Sequence, residues 1–133
     1  MAHDPRALDD AFLAFWRERH IATLTTLRPD GSPHVVPVGV TFDPGTGIAR
    51  VISSRTSRKV RNVLEAGADG QRVAVCQVDR ARWSTLEGVA VVRQEPEAVA
   101  EAERRYAERY REPRVNPDRV VVEITVDRVL GRA

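Results

Sequence analysis

A short segment between a predicted strand and a predicted helix, residues 53–59, carries the side chains best suited to holding an anion. Hydroxyl residues alternate there with basic ones, and the segment contains Lys59, the only lysine among 21 basic residues. A helix N-terminus exposes free N–H groups, arginine binds two phosphate oxygens at once, and hydroxyls donate further hydrogen bonds. The pattern indicates a phosphate site, although a solvated basic helix start with Thr56 as its N-cap also explains it.

Trp83 and His34 are the other residues whose positions suit contact with a ligand. Trp83 follows a polar loop, so it either plugs one end of the fold or forms a flat wall against a planar ligand or a partner subunit. His34 starts a strand after a turn, which allows a place at a pocket mouth, but a structural or solvent-exposed role is the simpler interpretation. We expect His3 at the surface or in a disordered terminus, and Cys76 in the core of an apolar strand.

Familiar catalytic and metal-binding signatures are absent from the sequence, which contains no GxSxG, Walker, CxxC or HExxH pattern. Its three histidines and single cysteine are too few and too scattered for a metal site. We therefore assign no catalytic residue and expect no metal.

Length and composition favour one domain over residues 1–133. The net charge of +2 and the 5% aromatic content disfavour a nucleic-acid binder. No apolar run is long enough to span a membrane, and the polar, acid-bearing N-terminus does not resemble a secretory signal. A single cysteine fits a cytoplasmic location, where disulfides are rare.

The periodicity of the sequence predicts nine elements in the order α-β-β-β-α-β-β-α-β. Helices are expected over residues 5–19, with Asp4 as N-cap, and over residues 55–64 and 96–111. Strands are expected over residues 21–27, 34–42, 48–54, 72–78, 84–93 and 119–129. Pro37 places the second strand at a sheet edge or a bulge, because proline cannot donate to a ladder. These six strands, joined mostly by hairpin-length links, predict a mainly β fold: a closed or split antiparallel barrel with flanking helices.

Three stretches of the sequence point to a known family. Residues 24–38, LTTLRPDGSPHVVPV, resemble the opening hairpin of the flavin and deazaflavin oxidoreductases of the pyridoxamine-5′-phosphate-oxidase-like superfamily. SRKVRN at residues 57–62 and RWSTLEG at residues 82–88 are similar to that family's phosphate motif and following strand, and the resemblance extends over about residues 11–131. Within the superfamily, residues 105–111 and 113–122 resemble the F420-dependent biliverdin reductases.

The resemblance implies a six-stranded split β-barrel that forms a homodimer, with a non-covalent redox cofactor at each of two subunit interfaces. The strand implied to run along the deazaflavin ring, mainly through backbone contacts, consists of Pro33, His34, Val35, Val36, Pro37 and Val38. The residues implied to hold the phosphate and the start of the cofactor tail are Ile52, Ser53, Ser54, Arg55, Thr56, Ser57 and Lys59. Gln77, Arg82 and Trp83 are implied to approach from the second subunit or the barrel end.

The activity implied is an F420H2-dependent reductase that transfers a hydride to a conjugated substrate, such as biliverdin in its reduction to bilirubin. An FMN-dependent oxidoreductase and a non-catalytic cofactor- or haem-binding barrel are the alternatives. Arg55 and Arg58 depart from the small or neutral residues of the F420-dependent relatives, and their charge favours the anionic glutamyl tail of F420. We expect these two arginines, with Arg80 and Arg82, to supply cations for the propionates of a tetrapyrrole.

Overall fold

A computed structural model of the chain describes residues 2–133. It is mainly β, with eight strands and three helices in the part described. The strands are β1 Ala2–His3, β2 Ala22–Leu27, β3 Pro33–Val38, β4 Thr41–Asp43, β5 Ile48–Ser54, β6 Gln71–Asp79, β7 Arg82–Arg93 and β8 Arg119–Arg132. The helices are α1 Asp10–Arg17, α2 Arg58–Glu65 and α3 Pro96–Arg109, and none of them is long and apolar enough to cross a membrane.

The strands form one antiparallel sheet in the order β3-β2-β6-β7-β8-β5-β4, and β1 also pairs with β8. The edge strands β3 and β4 lie at opposite ends of this order, yet only Gly39 and Val40 separate them in the chain. The sheet must therefore curl until its two edges meet. No ladder joins β3 to β4 within residues 2–133, so the barrel is split along this line rather than closed. The predicted split barrel and the edge position of Pro37 are both confirmed.

The barrel interior is filled from the strands and from two helices. Alternate residues of β6 point inward, so Val73 and Val75 are buried and Cys76 lies half-exposed on the outer face. The prediction of a core cysteine is wrong, because the inward register belongs to its neighbours. Helix α1 buries Phe12 and Trp16, and α2 buries one apolar side through Val60 and Val63. The remaining buried strand residues at the centre include Leu24, Leu86 and Ile124.

The residues Gly39 and Val40 explain why eight strands occur where six were predicted. The expected strand over residues 34–42 divides here, because β3 pairs with β2 at one sheet edge and β4 pairs with β5 at the other. A Cβ atom on Gly39 would lie 2.7 Å from Cε2 of Tyr106, so α3 approaches this point too closely for a side chain. The second unpredicted strand is β1, whose pairing with β8 joins residues more than 100 positions apart.

The N-terminal segment differs from the sequence-based expectation. Helix α1 begins at Asp10 rather than Pro5, because the Asp9 side chain accepts a hydrogen bond from the Phe12 N–H at 3.0 Å. Asp4 instead closes a separate turn, in which its carbonyl accepts from the Ala7 N–H. His3 is half-buried rather than disordered or simply at the surface. Its ring lies 4.6 Å from that of Phe12, and its Nε2 lies 3.1 Å from the Gly131 carbonyl.

Candidate functional site

A cavity of about 390 Å³ opens beside the split in the barrel. The ends of β3 and β5 line one side of it with Pro37, Val38, Gly39, Ile52, Ser53 and Ser54. Helix α2 contributes Lys59, and α3 with the segment that follows it contributes Tyr106, Arg111, Pro113, Arg114, Asn116 and Arg119. The cavity thus brings together strand ends and a helix start that are distant in sequence.

The charge of this lining has one sign. Lys59, Arg111, Arg114 and Arg119 are cationic, and neither aspartate nor glutamate is among the lining residues. Arg119 pairs with Glu103 at 2.7 Å and is nearly buried. Within residues 2–133, the other three cations have no carboxylate partner within 4.0 Å. Partial burial lowers the pKa of Lys59, because desolvation disfavours its charged form. A cavity with this lining is suited to an anionic ligand.

The end of β5 and the start of α2 are held by hydroxyl contacts. The Ser53 and Ser57 hydroxyls lie 2.9 Å apart, and the Ser54 hydroxyl accepts from the Asn116 amide at 2.9 Å. Ser57, not Thr56, is the N-cap residue of α2, and its side chain makes no capping hydrogen bond. The alternative in which Thr56 caps a solvated helix start is therefore wrong about the cap. Thr56 and Arg55 lie exposed in the adjoining turn.

Arg58 and Arg82, which were expected to bind ligand carboxylates, do not line the cavity of their own chain. Arg58 donates to Asn62 at 2.9 Å and pairs with Glu65, so its guanidinium follows α2. Arg82 pairs with Glu18 at 2.9 Å and with Asp79 at 2.6 Å. This pairing, aided by His20, lowers the pKa of Glu18 to about 2.

Gln77 and Trp83 also lie away from the cavity. Gln77 is 1% exposed, and both ends of its amide are used: Nε2 donates to the Phe15 carbonyl at 3.0 Å, and Oε1 accepts from Arg109 at 2.8 Å. Trp83 is 38% exposed opposite Val78 on the β6–β7 hairpin, so it does not fill the barrel interior. Of the two roles predicted for Trp83, this position is compatible with the flat wall and not with the plug.

Strand β3 supplies the edge of the site. Pro37 has no N–H, and no strand pairs with the outer edge of β3 in the part of the chain described. The backbone groups of Pro33, Val35 and Pro37 point to that edge, because hydrogen-bonded and non-bonded pairs alternate along the antiparallel β2–β3 ladder and Pro37 cannot donate to it. The Pro33 carbonyl accepts a hydrogen bond from Arg28 at 2.7 Å. The backbone groups of Val35 and the carbonyl of Pro37 have no strand partner in the described chain, because β3 is the last strand at this end of the sheet.

His34 and Val36 occupy the inward positions of β3, where Val36 packs against the core. The Nδ1 atom of His34 is buried without a hydrogen-bond partner in the described chain. Burial, reinforced by nearby Arg28, Lys59 and Arg58, lowers the pKa of His34. Its surroundings therefore favour the neutral imidazole at the start of the strand that borders the cavity.

Sequence reasoning missed Gly39 and the part of the site that comes from α3 and the segment after it. Gly39, Tyr106, Arg111, Arg114, Asn116 and Arg119 were not among the predicted binding residues. The break over residues 112–117, with two prolines beside arginine and asparagine, was a signal of an ordered loop. Its contact with β5 depends on pairing between distant strands, which local patterns do not encode.

Comparison with known proteins places the chain in a family. The family model described as pyridoxamine 5′-phosphate oxidase matches residues 8–133. The chain belongs to the pyridoxamine 5′-phosphate oxidase family. A curated relative in Mycobacterium tuberculosis, named F420H(2)-dependent biliverdin reductase, is 53% identical over 133 residues, which cover 100% of this chain and 94% of that protein.

Solved structures share the fold of this pyridoxamine 5′-phosphate oxidase family member. A conserved hypothetical protein from Mycobacterium tuberculosis superposes with a TM-score of 0.75 at 24% identity, over 95% of this chain and 85% of that one. A structure titled F420 reductase gives a TM-score of 0.72 at 20% identity, over 92% of this chain and 98% of that one. At these identities the likeness establishes the split-barrel fold alone.

Proposed function

We propose that the chain is an F420H2-dependent reductase that acts on biliverdin or a closely related conjugated tetrapyrrole. The observation that carries this proposal is the cationic, carboxylate-free cavity beside the free edge of β3. It occurs in a chain 53% identical, over its full length, to a protein named for this activity. A small-molecule substrate and F420 are the partners that such a cavity suits.

The chemistry of the lining fits F420 in two regions. Lys59 supplies a point charge for the phosphate of F420, and the hydroxyls of Ser53 and Ser54 supply hydrogen bonds beside it. Arg55, Thr56 and Ser57 continue this anion-binding surface at the start of α2. The free backbone groups of Val35 and Pro37 suit the alternating carbonyl and N–H groups at the pyrimidine edge of a deazaflavin.

The protein's own contribution to the reaction is binding, orientation and exclusion of water. When bound, reduced F420 supplies a hydride, which together with one proton converts biliverdin to bilirubin. Pro37, Val38 and Ile52 give the cavity an apolar wall beside its cations. No catalytic dyad is required of the chain, because the transferred hydride comes from the cofactor.

We propose a homodimer as the working unit. Ile21 and Val78 are 63% and 65% exposed, and Trp83 is 38% exposed. Val78 pairs with Trp83 across the β6–β7 hairpin. Ile21 comes just before β2, whose first residue, Ala22, pairs with Gln77. Extending this register by one residue places Ile21 beside Val78, so the three exposed residues form one apolar row. A second copy would cover this row. In such a dimer Trp83 reaches the partner's cavity, while Gln77 and Arg82 hold the hairpin that presents it.

An FMN-dependent oxidoreductase is the second candidate, because the family model is named for pyridoxamine 5′-phosphate oxidase and Lys59 with its serines suits any phosphate. Titration of the purified chain with F420 and with FMN, each followed by its own fluorescence, separates the two. The proposal expects F420 to bind at least tenfold more tightly than FMN. Tighter binding of FMN, or a Soret band from haem in the purified protein, would contradict it.

A further inference from the structure

The arginines that the structure leaves available to a ligand differ from those predicted from the sequence. Arg58 and Arg82, expected from sequence to hold ligand carboxylates, are paired with Glu65 and with Glu18 and Asp79. Arg111 and Arg114 line the cavity, are exposed, and have no carboxylate partner within residues 2–133. The free guanidinium groups of the cavity therefore lie on the segment that follows α3.

That segment is held in place rather than hanging free. The Asn116 amide donates to the Ser54 hydroxyl at 2.9 Å, and the Arg55 N–H donates to the Asp118 carbonyl at 2.9 Å. Just before the segment, the Tyr110 hydroxyl donates to the His20 carbonyl at 2.6 Å. Both ends are thus fixed to the barrel, so the two arginines between them face the cavity from a constrained backbone.

The two groups of cations differ in burial. Lys59 is half-buried at the start of α2, beside Ser53 and Ser54. Arg111 and Arg114 are exposed and form the outer rim of the same cavity. A compact phosphate suits the half-buried lysine, and an exposed planar guanidinium suits carboxylates on flexible chains, which it can bind through two oxygens.

We propose that Arg111 and Arg114 form a carboxylate-binding rim for the ligands of this cavity. The inference rests on the proposed function, in which carboxylates come from two sources: the glutamyl tail of F420 and the propionates of biliverdin. Val115, between Arg114 and Asn116, is 99% exposed, so the segment also carries an uncovered apolar side chain beside the rim. An apolar body that carries carboxylates matches this combination of side chains.

The test uses the full chain with Arg111→Gln, Arg114→Gln and the double variant. Arg61→Gln is the matched control, because Arg61 is exposed on α2, does not line the cavity, and has no carboxylate partner within residues 2–133. Four probes are compared: F420 with its glutamyl tail, the phosphate-bearing precursor without glutamates, biliverdin, and biliverdin dimethyl ester. F420 binding is followed by fluorescence, and biliverdin binding by its absorbance, without turnover.

We expect each single variant to lose about two- to fivefold in affinity for at least one carboxylate-bearing probe, within the range of an exposed ion pair. A loss for tailed F420 but not for its precursor assigns the rim to the glutamyl tail. A loss for biliverdin but not for its dimethyl ester assigns it to the propionates. Added salt screens exposed ion pairs, so the difference in affinity between each variant and the unaltered chain becomes smaller as the salt concentration rises.

Equal affinities of all variants and the control for all four probes would overturn the rim. That result is distinct from failure of the proposed function, in which the unaltered chain itself does not bind F420. Biliverdin and its dimethyl ester are titrated without F420, so the comparison between them still tests the propionate arm in that case. Retained Tm in each variant excludes misfolding as the cause of a lost affinity.

Discussion

Replacement of Gly39 by alanine tests the close approach of α3 to the split in the barrel. The added Cβ would lie 2.7 Å from Tyr106 Cε2 and 3.2 Å from Tyr110 Cε2, so something must shift. The Tyr106 ring cannot simply turn aside, because it packs 5.0 Å from the Tyr110 ring, whose hydroxyl is bound to the His20 carbonyl.

The expected magnitude comes from two opposing effects. Overpacking costs about 1–3 kcal/mol, and replacing glycine at a compatible backbone angle returns about 0.4–1 kcal/mol. We expect a net loss of about 1.5 kcal/mol in the free energy of unfolding. Dividing this loss by the unfolding entropy, about 2.1 cal/mol/K per residue, gives a fall in Tm of about 5 °C. Urea denaturation and calorimetry measure both quantities.

A double-mutant cycle identifies the cause of that loss. Tyr106→Leu removes the atom that the new Cβ meets, so Gly39→Ala should cost about 1 kcal/mol less in the Tyr106→Leu background than in the wild-type chain. Gly45→Ala, on an exposed turn, is the control and should change stability by less than about 1 kcal/mol. A Gly39→Ala chain as stable as the wild type, or equal costs in both backgrounds, would refute the reasoning.

Three other substitutions probe the site and its support. Because burial lowers the pKa of Lys59, its charge is lost at a lower pH than that of an ordinary lysine, and F420 affinity should fall over that lower pH range. Lys59→Arg should abolish this fall in a fluorescence titration repeated across pH. An unchanged profile in that variant would contradict the assignment of Lys59 to the phosphate. The folded-state pKa of His34 lies below 6.5, so its contribution to stability is full above pH 6.5 and is lost as pH falls through the lowered value. His34→Asn should therefore flatten the acid side of a plot of urea midpoint against pH. Parallel plots for the variant and the wild type would show that His34 does not cause the loss of stability in acid. Arg109→Met removes hydrogen bonds to the Glu18 and Val40 carbonyls and to buried Gln77, so the free energy of unfolding should drop by about 3 kcal/mol. Arg61→Met is the control and should leave the free energy of unfolding nearly unchanged. A small loss for Arg109→Met would mean that water replaces the three hydrogen bonds.

Local sequence signals predicted the order of the main elements because they act over a few residues. The proline in β3 marked an edge strand, and the change from strand to helix period marked the β5–α2 junction where Ser53 and Lys59 meet the cavity. The same local reasoning misplaced the start of α1, where Asp4 before a proline is a strong signal. Asp9 caps the helix instead, and the helix it starts buries Phe12 and Trp16.

The cations of the site were harder to predict than its strands. Arg58, Arg82, Arg111 and Arg114 are alike in sequence, and their partners decide which of them are free. Arg82 meets Glu18 across 64 positions, and Asn116 meets Ser54 across 62, so the pairing and the rim both depend on the assembled barrel. The hydroxyl and basic residues at positions 53–59 therefore predicted an anionic ligand, whereas the structure was needed to show which arginines are free to bind it.

The proposed function requires that this cavity bind F420 and support the reduction of a tetrapyrrole. The most direct measurement is the absorbance of F420H2 mixed with biliverdin and the purified chain in the absence of oxygen. We predict loss of F420H2 with stoichiometric appearance of bilirubin, no turnover with NADPH, and strong impairment in Lys59→Ala. No rate above that of the enzyme-free mixture at saturating F420H2 and biliverdin would contradict the account.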